Sequence, residues 1–245
     1  MNILSIIPAR IGSKGIPKKN LVKIGKYSLV ERALFTAMNT NILDNILVST
    51  DSKEIQTLVN KYGNYAPFLR PKELATDKAK SLGVIQHALY WAQKNLKKKY
   101  DLIVLLEPPS LFRLPIHIET AVEIAVKNRA TSVVSLITVG DYHPIRMKKM
   151  DINGALTGLY MEEPDGLRRQ DQEPAYIRNC AVYVFTPKTI NNNKLWGERP
   201  YGYEMDRKFY SINIDEPIDL LTAKAFYKKM KNEKKLNIIE ILPPN

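Results

Sequence analysis

The stretch IIPARIGSKGIPKKN, Ile6 to Asn20, changes character halfway along. Its first residues continue an apolar run that opens at Asn2, and then Arg10, Lys14, Lys18 and Lys19 follow in quick succession among Gly12, Gly15 and Pro17. A short apolar run with such a boundary reads as a buried strand, so the cations fall at its C-terminal end. In an open parallel sheet that end is where ligands bind. Gly12 and Gly15 are expected to let the backbone turn tightly and to expose amide groups. Charged hydrogen bonds are stronger than neutral ones, so cations beside such amides suit a polyphosphate. The segment is neither G-x-x-x-x-G-K-[ST] nor G-x-G-x-x-G. The plain alternative is an exposed, charged turn between a strand and a helix.

Outward from this stretch, short apolar runs alternate with amphipathic ones. Asn2–Pro8, Asn45–Thr50, Asp101–Leu106 and Thr131–Val139 read as buried strands; Ser28–Asn39, Ser52–Tyr62, Ser81–Leu96 and Pro115–Asn128 read as helices. Ser28 and Ser52 fit N-caps, and Glu31 completes a capping box with Ser28. This alternation predicts an α/β fold with a mainly parallel sheet. The rhythm breaks after Gly140, where Asn153-Gly154 marks a hairpin between two strand-like pieces. It returns with a strand at Asn179–Phe185, a long loop, a strand at Tyr210–Asp215 and a helix near Ile218–Lys231. With no internal repeat or low-complexity linker, the expectation is one domain over 1–245 with an inserted arm at about 143–162.

The 245 residues are 44% apolar, enough for a full core, and no run approaches a membrane span. MNILSIIPAR has no secretory leader pattern, and a lone cysteine, Cys180, forms no internal disulfide, so a cytoplasmic protein is expected. The net charge of +12 suits an anionic ligand, either a small polyphosphate or nucleic acid. Against nucleic acid, the lysine runs at Lys97–Lys99 and Lys228–Lys235 sit at helix ends and are not interleaved with aromatic residues. Neither nucleic acid nor membrane is an expected partner.

Five stretches carry a resemblance. Pro8-Ala9-Arg10 through Asn20, Val48-Ser49-Thr50-Asp51, Arg70-Pro71 through Asp77, Leu105-Leu106-Glu107-Pro108-Pro109-Ser110 through Arg113, and Ser211 through Leu220 occur in series. Together they resemble the motifs of the acylneuraminate cytidylyltransferases, which make CMP-sialic acid and related CMP-ulosonates. The resemblance implies a Rossmann-like nucleotidyltransferase fold with a β-hairpin dimerisation arm. It also implies a homodimer, with CTP and a nine-carbon 2-keto sugar acid as substrates, Mg²⁺ as cofactor, and a supply role for cell-surface polysaccharide. Kdo-like eight-carbon activation is the nearest rival, because those enzymes share the opening motif; an inactive sugar-nucleotide-binding homologue is another.

By the same resemblance, Arg10, Lys14 and Lys19 hold the triphosphate with help from Ser13, and Asn20 contacts ribose or phosphate. Lys18 matches a variable position and reads as a surface lysine. Arg70, Ala79 and Glu107 are expected around the base, Glu107 standing where the family commonly has Gln. Cytosine presents an amino donor beside two acceptors, so a cation and an acceptor together can read it. From residues alone, Arg70 reads instead as a surface ion pair with Glu73. Asp215 and Asn213 match the family's metal-binding aspartate pair, with an amide in the first place; Asp219 fits the start of the last helix. Arg169, Gln170, Asn179 and Tyr183 match the sugar-binding stretch, Arg169 as the grip on the carboxylate. Cys180 stands where the family usually has Gly and is expected to be a small packed residue. His87 and His117 read as structural, and His143-Pro144 resembles a family pair near the sugar.

Overall fold

The computed structural model describes residues 1–206, 212–236 and 239–244. The chain runs β1 (Ile3–Pro8), β2 (Lys23–Ile24), β3 (Tyr27–Ser28), α1 (Leu29–Met38), β4 (Asn45–Ser49), α2 (Lys53–Asn60), α3 (Ser81–Leu96) and β5 (Leu102–Leu105). It continues with α4 (Pro115–Lys127), β6 (Ser132–Thr138), β7 (Lys148–Met150), β8 (Leu156–Gly158), β9 (Tyr176–Phe185), α5 (Pro187–Asn191), β10 (Pro200–Glu204) and α6 (Pro217–Asn232). Helix α1 starts where the capping box predicts: Ser28 N and Oγ donate to Glu31 Oε2 at 2.8 and 2.6 Å, and Glu31 N donates back to Ser28 Oγ. Ser52 likewise caps α2 through Ile55 N. Such caps typically stabilise a helix by about 1 kcal/mol.

The main sheet has the order β10-β6-β9-β5-β1-β4, and β9 alone runs antiparallel to its neighbours. Alternating side chains of β1 bury both faces. Ile3 and Ile7 pack with Val30 and Leu34 of α1 and Ile118 and Val122 of α4; Leu4 and Ile6 pack with Ile85 and Leu89 of α3. That double burial is why the parallel strands read as unbroken apolar runs. A third cluster joins Ile16 of the loop after β1 to Leu111, Phe112, Ile214 and Ala223, which ties that loop to the start of α6.

From β1 the chain crosses to β4, then returns over β1 to pair β5 on the other side. The strand order therefore reverses between β1 and β5, and a crevice opens beyond Pro8 and Leu105.

Two sequence expectations need correction or completion. The long loop after Phe185 contains α5 and the edge strand β10, paired parallel to β6. The strand expected at Tyr210–Asp215 lies partly outside the described residues; of the rest, Asn213 makes one antiparallel bridge to Ser110. The hairpin around Asn153-Gly154 forms as β7 and β8. His117 is structural: its Nδ1 accepts from Leu114 N at 3.0 Å at the start of α4, and burial pushes its pKa down to about 4.

Candidate active site

The crevice holds a cavity of about 280 Å³, walled by the loops after β1 and β5, the segment 70–81 and Asp215. Arg10, Ser13, Lys19, Asn20, Arg70, Ala79, Glu107 and Asp215, eight of the residues the sequence singles out, line it.

Arg10 and Lys14 converge on one carboxylate. Arg10 Nη1 lies 2.8 Å from Asp77 Oδ1, and Lys14 Nζ lies 3.5 Å from Asp77 Oδ2. The Arg10 hydrogen bond, with the Lys14 charge beside it, holds the Asp77 carboxyl below its ordinary range. Lys14 is exposed at the rim. Lys19 is the sequestered cation, its side chain 14% exposed and its ammonium 2.7 Å from Asp215 Oδ1. Lys18 turns outward to Glu54 at 2.8 Å. Asn20 is buried and donates to the Arg10 carbonyl at 2.8 Å, clamping the two ends of the loop; among the described residues its Oδ1 has no hydrogen-bond partner.

The role expected of the two glycines changes. Neither has a positive φ; the left-handed residue of this loop is Lys18, at φ 49°. A Cβ on Gly15 would stand 2.3 Å from the Asp215 carbonyl oxygen, so glycine is needed for close approach of two backbones. A Cβ on Gly12 would meet nothing within 4 Å, and Gly12 walls the cavity.

Arg70 makes no ion pair with Glu73 among the described contacts. It is buried, with Nε 3.1 Å from Ser49 Oγ, Nη2 on the Ser49 carbonyl and Nη1 3.3 Å from the Leu74 carbonyl. Burial, opposed by Asp51 and assisted by Arg10, pushes its pKa down to about 10. This guanidinium therefore joins the end of β4 to the segment carrying Asp77 and Ala79. Helix α3 then begins at the cavity wall with Ser81, without a side-chain cap, and so presents the positive end of its dipole there.

Glu107 sits on the floor. Burial pushes its carboxyl up, with Asp215 adding to the shift, while a hydrogen bond from Cys180 and the charges of Arg113 and Lys19 oppose it. Arg113, fully buried, fixes this loop: its Nη1 donates to the carbonyls of Ala181 at 2.6 Å and Glu107 at 3.2 Å. The sequence contains Arg113 within a motif but gives no sign of this bracing role.

At the start of α6, Asn213 Nδ2 donates to Asp215 Oδ2, leaving the buried Asn213 Oδ1 without a hydrogen-bond partner among the described residues. Asp219 Oδ2 accepts from Asp215 N and Glu216 N at 3.0 and 2.8 Å, the capping position expected for it. No cluster of three His, Cys, Asp or Glu residues suited to a metal occurs among the described residues. A hard cation would find one carboxylate and one amide oxygen here, a donor set that fits Mg²⁺ when phosphate oxygens complete the shell.

The residues matched to sugar binding are dispersed. Arg169 is exposed and pairs with Asp141 at 3.2 Å, and Gln170 is exposed beside it. Asn179 is 3% exposed: its Oδ1 accepts from Ser135 Oγ at 2.6 Å and its Nδ2 reaches Met205 Sδ at 3.2 Å, so its amide is engaged inside β9. Tyr183 lines a chamber of about 70 Å³ with Glu107, Ser81, Arg178 and Trp196. Arg178, which sequence reasoning passed over, lies 5.6 Å above the Trp196 ring and also walls a wider cavity of about 610 Å³ with Tyr142, Asn179 and Asn213. His143 caps a short turn, accepting from Ile145 N at Nδ1, with Nε2 2.9 Å from the Glu173 carbonyl.

A doubly wound sheet with a cation-rich crevice at its switch point defines the class as a nucleotide-binding α/β protein of the nucleotidyltransferase kind. The family described as Cytidylyltransferase matches residues 4–106. CMP-N,N'-diacetyllegionaminic acid synthase of Legionella pneumophila is 34% identical over 220 residues, covering 89% of this chain and 93% of that protein. N-acylneuraminate cytidylyltransferase of Escherichia coli is 30% identical over 97% of this chain; the match spans 55% of that longer protein. Among solved structures, a CMP-2-keto-3-deoxy-manno-octonic acid synthetase complexed with CTP superposes with a TM-score of 0.68 at 14% identity, covering 94% of this chain and 99% of that one. The chain belongs to the acylneuraminate cytidylyltransferase family. Among the described residues, no helix is long and apolar enough to cross a membrane.

Proposed function

We propose that this protein transfers the CMP group of CTP to a nine-carbon 2-keto sugar acid and releases pyrophosphate. The observation that carries the reading is the convergence of Arg10, Lys14 and Lys19 on the crevice where β1 and β5 end. The triphosphate lies along these cations, which exchange Asp77 and Asp215 for phosphate oxygens. The anomeric hydroxyl oxygen bonds to the α-phosphorus, the bond from that phosphorus to the bridging oxygen breaks, and the hydroxyl proton passes to solvent. Positioning and charge neutralisation govern such a transfer. Mg²⁺, when bound, supplies further neutralisation at the phosphates. Asp215 and Asn213 are the residues that would hold it. Arg178 and Arg169 are the cations available to the acid's carboxylate. The product is an activated sugar for cell-surface polysaccharide, made in the cytoplasm.

The test is pyrophosphate release from CTP and Mg²⁺ with a panel of N-acetylneuraminate, legionaminate, pseudaminate and an eight-carbon ulosonate. Release with one of the nine-carbon acids is expected. Release only with the eight-carbon acid, or with none, overturns the reading. Because the protein offers two ligands, Mg²⁺ alone is expected to give no calorimetric binding signal, and CTP with Mg²⁺ a clear one.

The arm supports a homodimer. Met150, Ile152, Leu156, Tyr160 and Met161 are exposed together on or beside β7 and β8, and grouped apolar exposure of this kind marks an interaction surface. Sedimentation is expected to give twice the 28.0 kDa chain mass. A monomer at assay concentration counts against this part.

A further inference from the structure

One carboxylate faces two cations of the phosphate loop. Asp77 Oδ1 accepts from Arg10 Nη1 at 2.8 Å, and Asp77 Oδ2 lies 3.5 Å from Lys14 Nζ. Two oxygens of one anion spanning two cations is also how a phosphate group sits between such a pair. Asp77 comes from the opposite wall of the crevice, 67 residues beyond Arg10 in the chain.

The segment that carries Asp77 is fastened at both ends. Arg70 donates to the carbonyls of Ser49 and Leu74, and α3 begins at Ser81. Between these anchors Thr76, Asp77 and Lys78 are exposed, so a rotation of the Asp77 side chain uncovers no core. Both of its ion pairs are open to solvent, which leaves them weak enough to exchange. The other carboxylate paired to a loop cation, Asp215, is tied down further by Asn213 Nδ2. Among the described residues, the side-chain partners of Asp77 are the two cations alone.

We infer that Asp77 is a positioning residue acting through Arg10 and Lys14: its carboxylate holds the two cations in the empty crevice, yields them to the outer phosphates of CTP and takes them back as pyrophosphate departs, so that it weakens the grip on product as well as on substrate. The inference deepens the cytidylyltransferase reading, but its binding arm uses pyrophosphate alone, with no sugar acid and no turnover.

The test is calorimetric titration with inorganic pyrophosphate at fixed Mg²⁺. Asp77→Asn keeps the shape and removes the charge. It is expected to tighten pyrophosphate binding about three- to tenfold, through loss of a competing ion pair and of a like charge beside the ligand. Glu54→Gln changes the net charge by the same amount at the outward Lys18 pair, and should stay within about twofold of the wild type. Melting temperatures of both variants should match the wild type, because the pairs they lose are exposed. In turnover, pyrophosphate should inhibit Asp77→Asn at a concentration lower by the factor that calorimetry gives, and KM for CTP should fall while kcat does not rise. Weaker or unchanged pyrophosphate binding in Asp77→Asn shows that the carboxylate only aligns the cations, and an equal gain in Glu54→Gln shows an effect of bulk charge; either result overturns the inference. Tighter binding in Asp77→Asn from a protein that releases no pyrophosphate with CTP and any acid defeats the functional reading instead, and leaves the exchange standing.

Discussion

Lys19→Ala is expected to lower kcat/KM for CTP by about a hundred- to a thousandfold, the range found on removing one preorganised group from the charge developing in a transition state. Lys19 is the least exposed of the loop's lysines, and its ammonium stands between the crevice and Asp215. Its removal acts twice. The phosphate loses a cation, and the Asp215 carboxylate is left facing the triphosphate without neutralisation, a repulsion that rises as the crevice dries around the ligand. Stability should change little, because Asp215 is 60% exposed and a pair so open to solvent contributes at most about 1 kcal/mol. The neighbouring residue supplies the control. Lys18 pairs with Glu54 on the outer surface, so Lys18→Ala should keep kcat/KM within about twofold, as for most surface positions. Pyrophosphate release and calorimetric CTP binding read both variants. Equal losses at Lys18 and Lys19 would show general electrostatic attraction by the +12 chain, and the specific cradle would fall.

That contrast also shows what the sequence carries. β1, β4 and β5 were legible because burial on both faces leaves uninterrupted Ile, Leu and Val, and α1 because Ser28 and Glu31 close a local box. The cations at the end of β1 were legible because strand ends in a parallel sheet face the ligand side. β10 was hidden: Pro200, Gly202 and Glu204 are poor strand residues, tolerated because this strand lies at the sheet edge beside β6. Contacts between distant residues leave no periodic trace either. Asp77 with Arg10 and Lys14, Arg113 with Ala181, and Arg32 with Glu240 at 2.8 Å depend on the folded path of the chain. Motif resemblance brought most of the crevice residues to one place, but not the dispersed sugar-binding set. Arg178 sits in that region and Asn179 turns inward because β9 changes register between them and Tyr183.

Gly15→Ala is expected to be the most damaging small change in the loop, with kcat/KM down at least about a hundredfold, the effect of a misplacement near 1 Å at a reacting centre. The added methyl would lie 2.3 Å from the Asp215 carbonyl oxygen, where ordinary contact begins near 3.4 Å. Both sides of this contact are backbone, so no side-chain rotation relieves it; the phosphate loop and the segment bearing Asp215 must separate. Ile16 and Ile214, which share the cluster beneath, would be pulled apart with them, and overpacking of this kind destabilises by about 1–3 kcal/mol. Gly12→Ala separates steric need from ligand need. Its φ is not positive and the methyl meets no protein atom within 4 Å, so the melting temperature should match the wild type. The methyl nevertheless projects beside the cavity, and CTP affinity should fall several-fold if the triphosphate approaches that backbone. Calorimetric melting with CTP titration distinguishes the two: Gly15→Ala loses stability and turnover together, whereas Gly12→Ala loses affinity alone. A Gly15→Ala protein with wild-type melting and turnover would mean that the loop and Asp215 are not in contact, and that the cations after β1 and the carboxylate before α6 do not form one site.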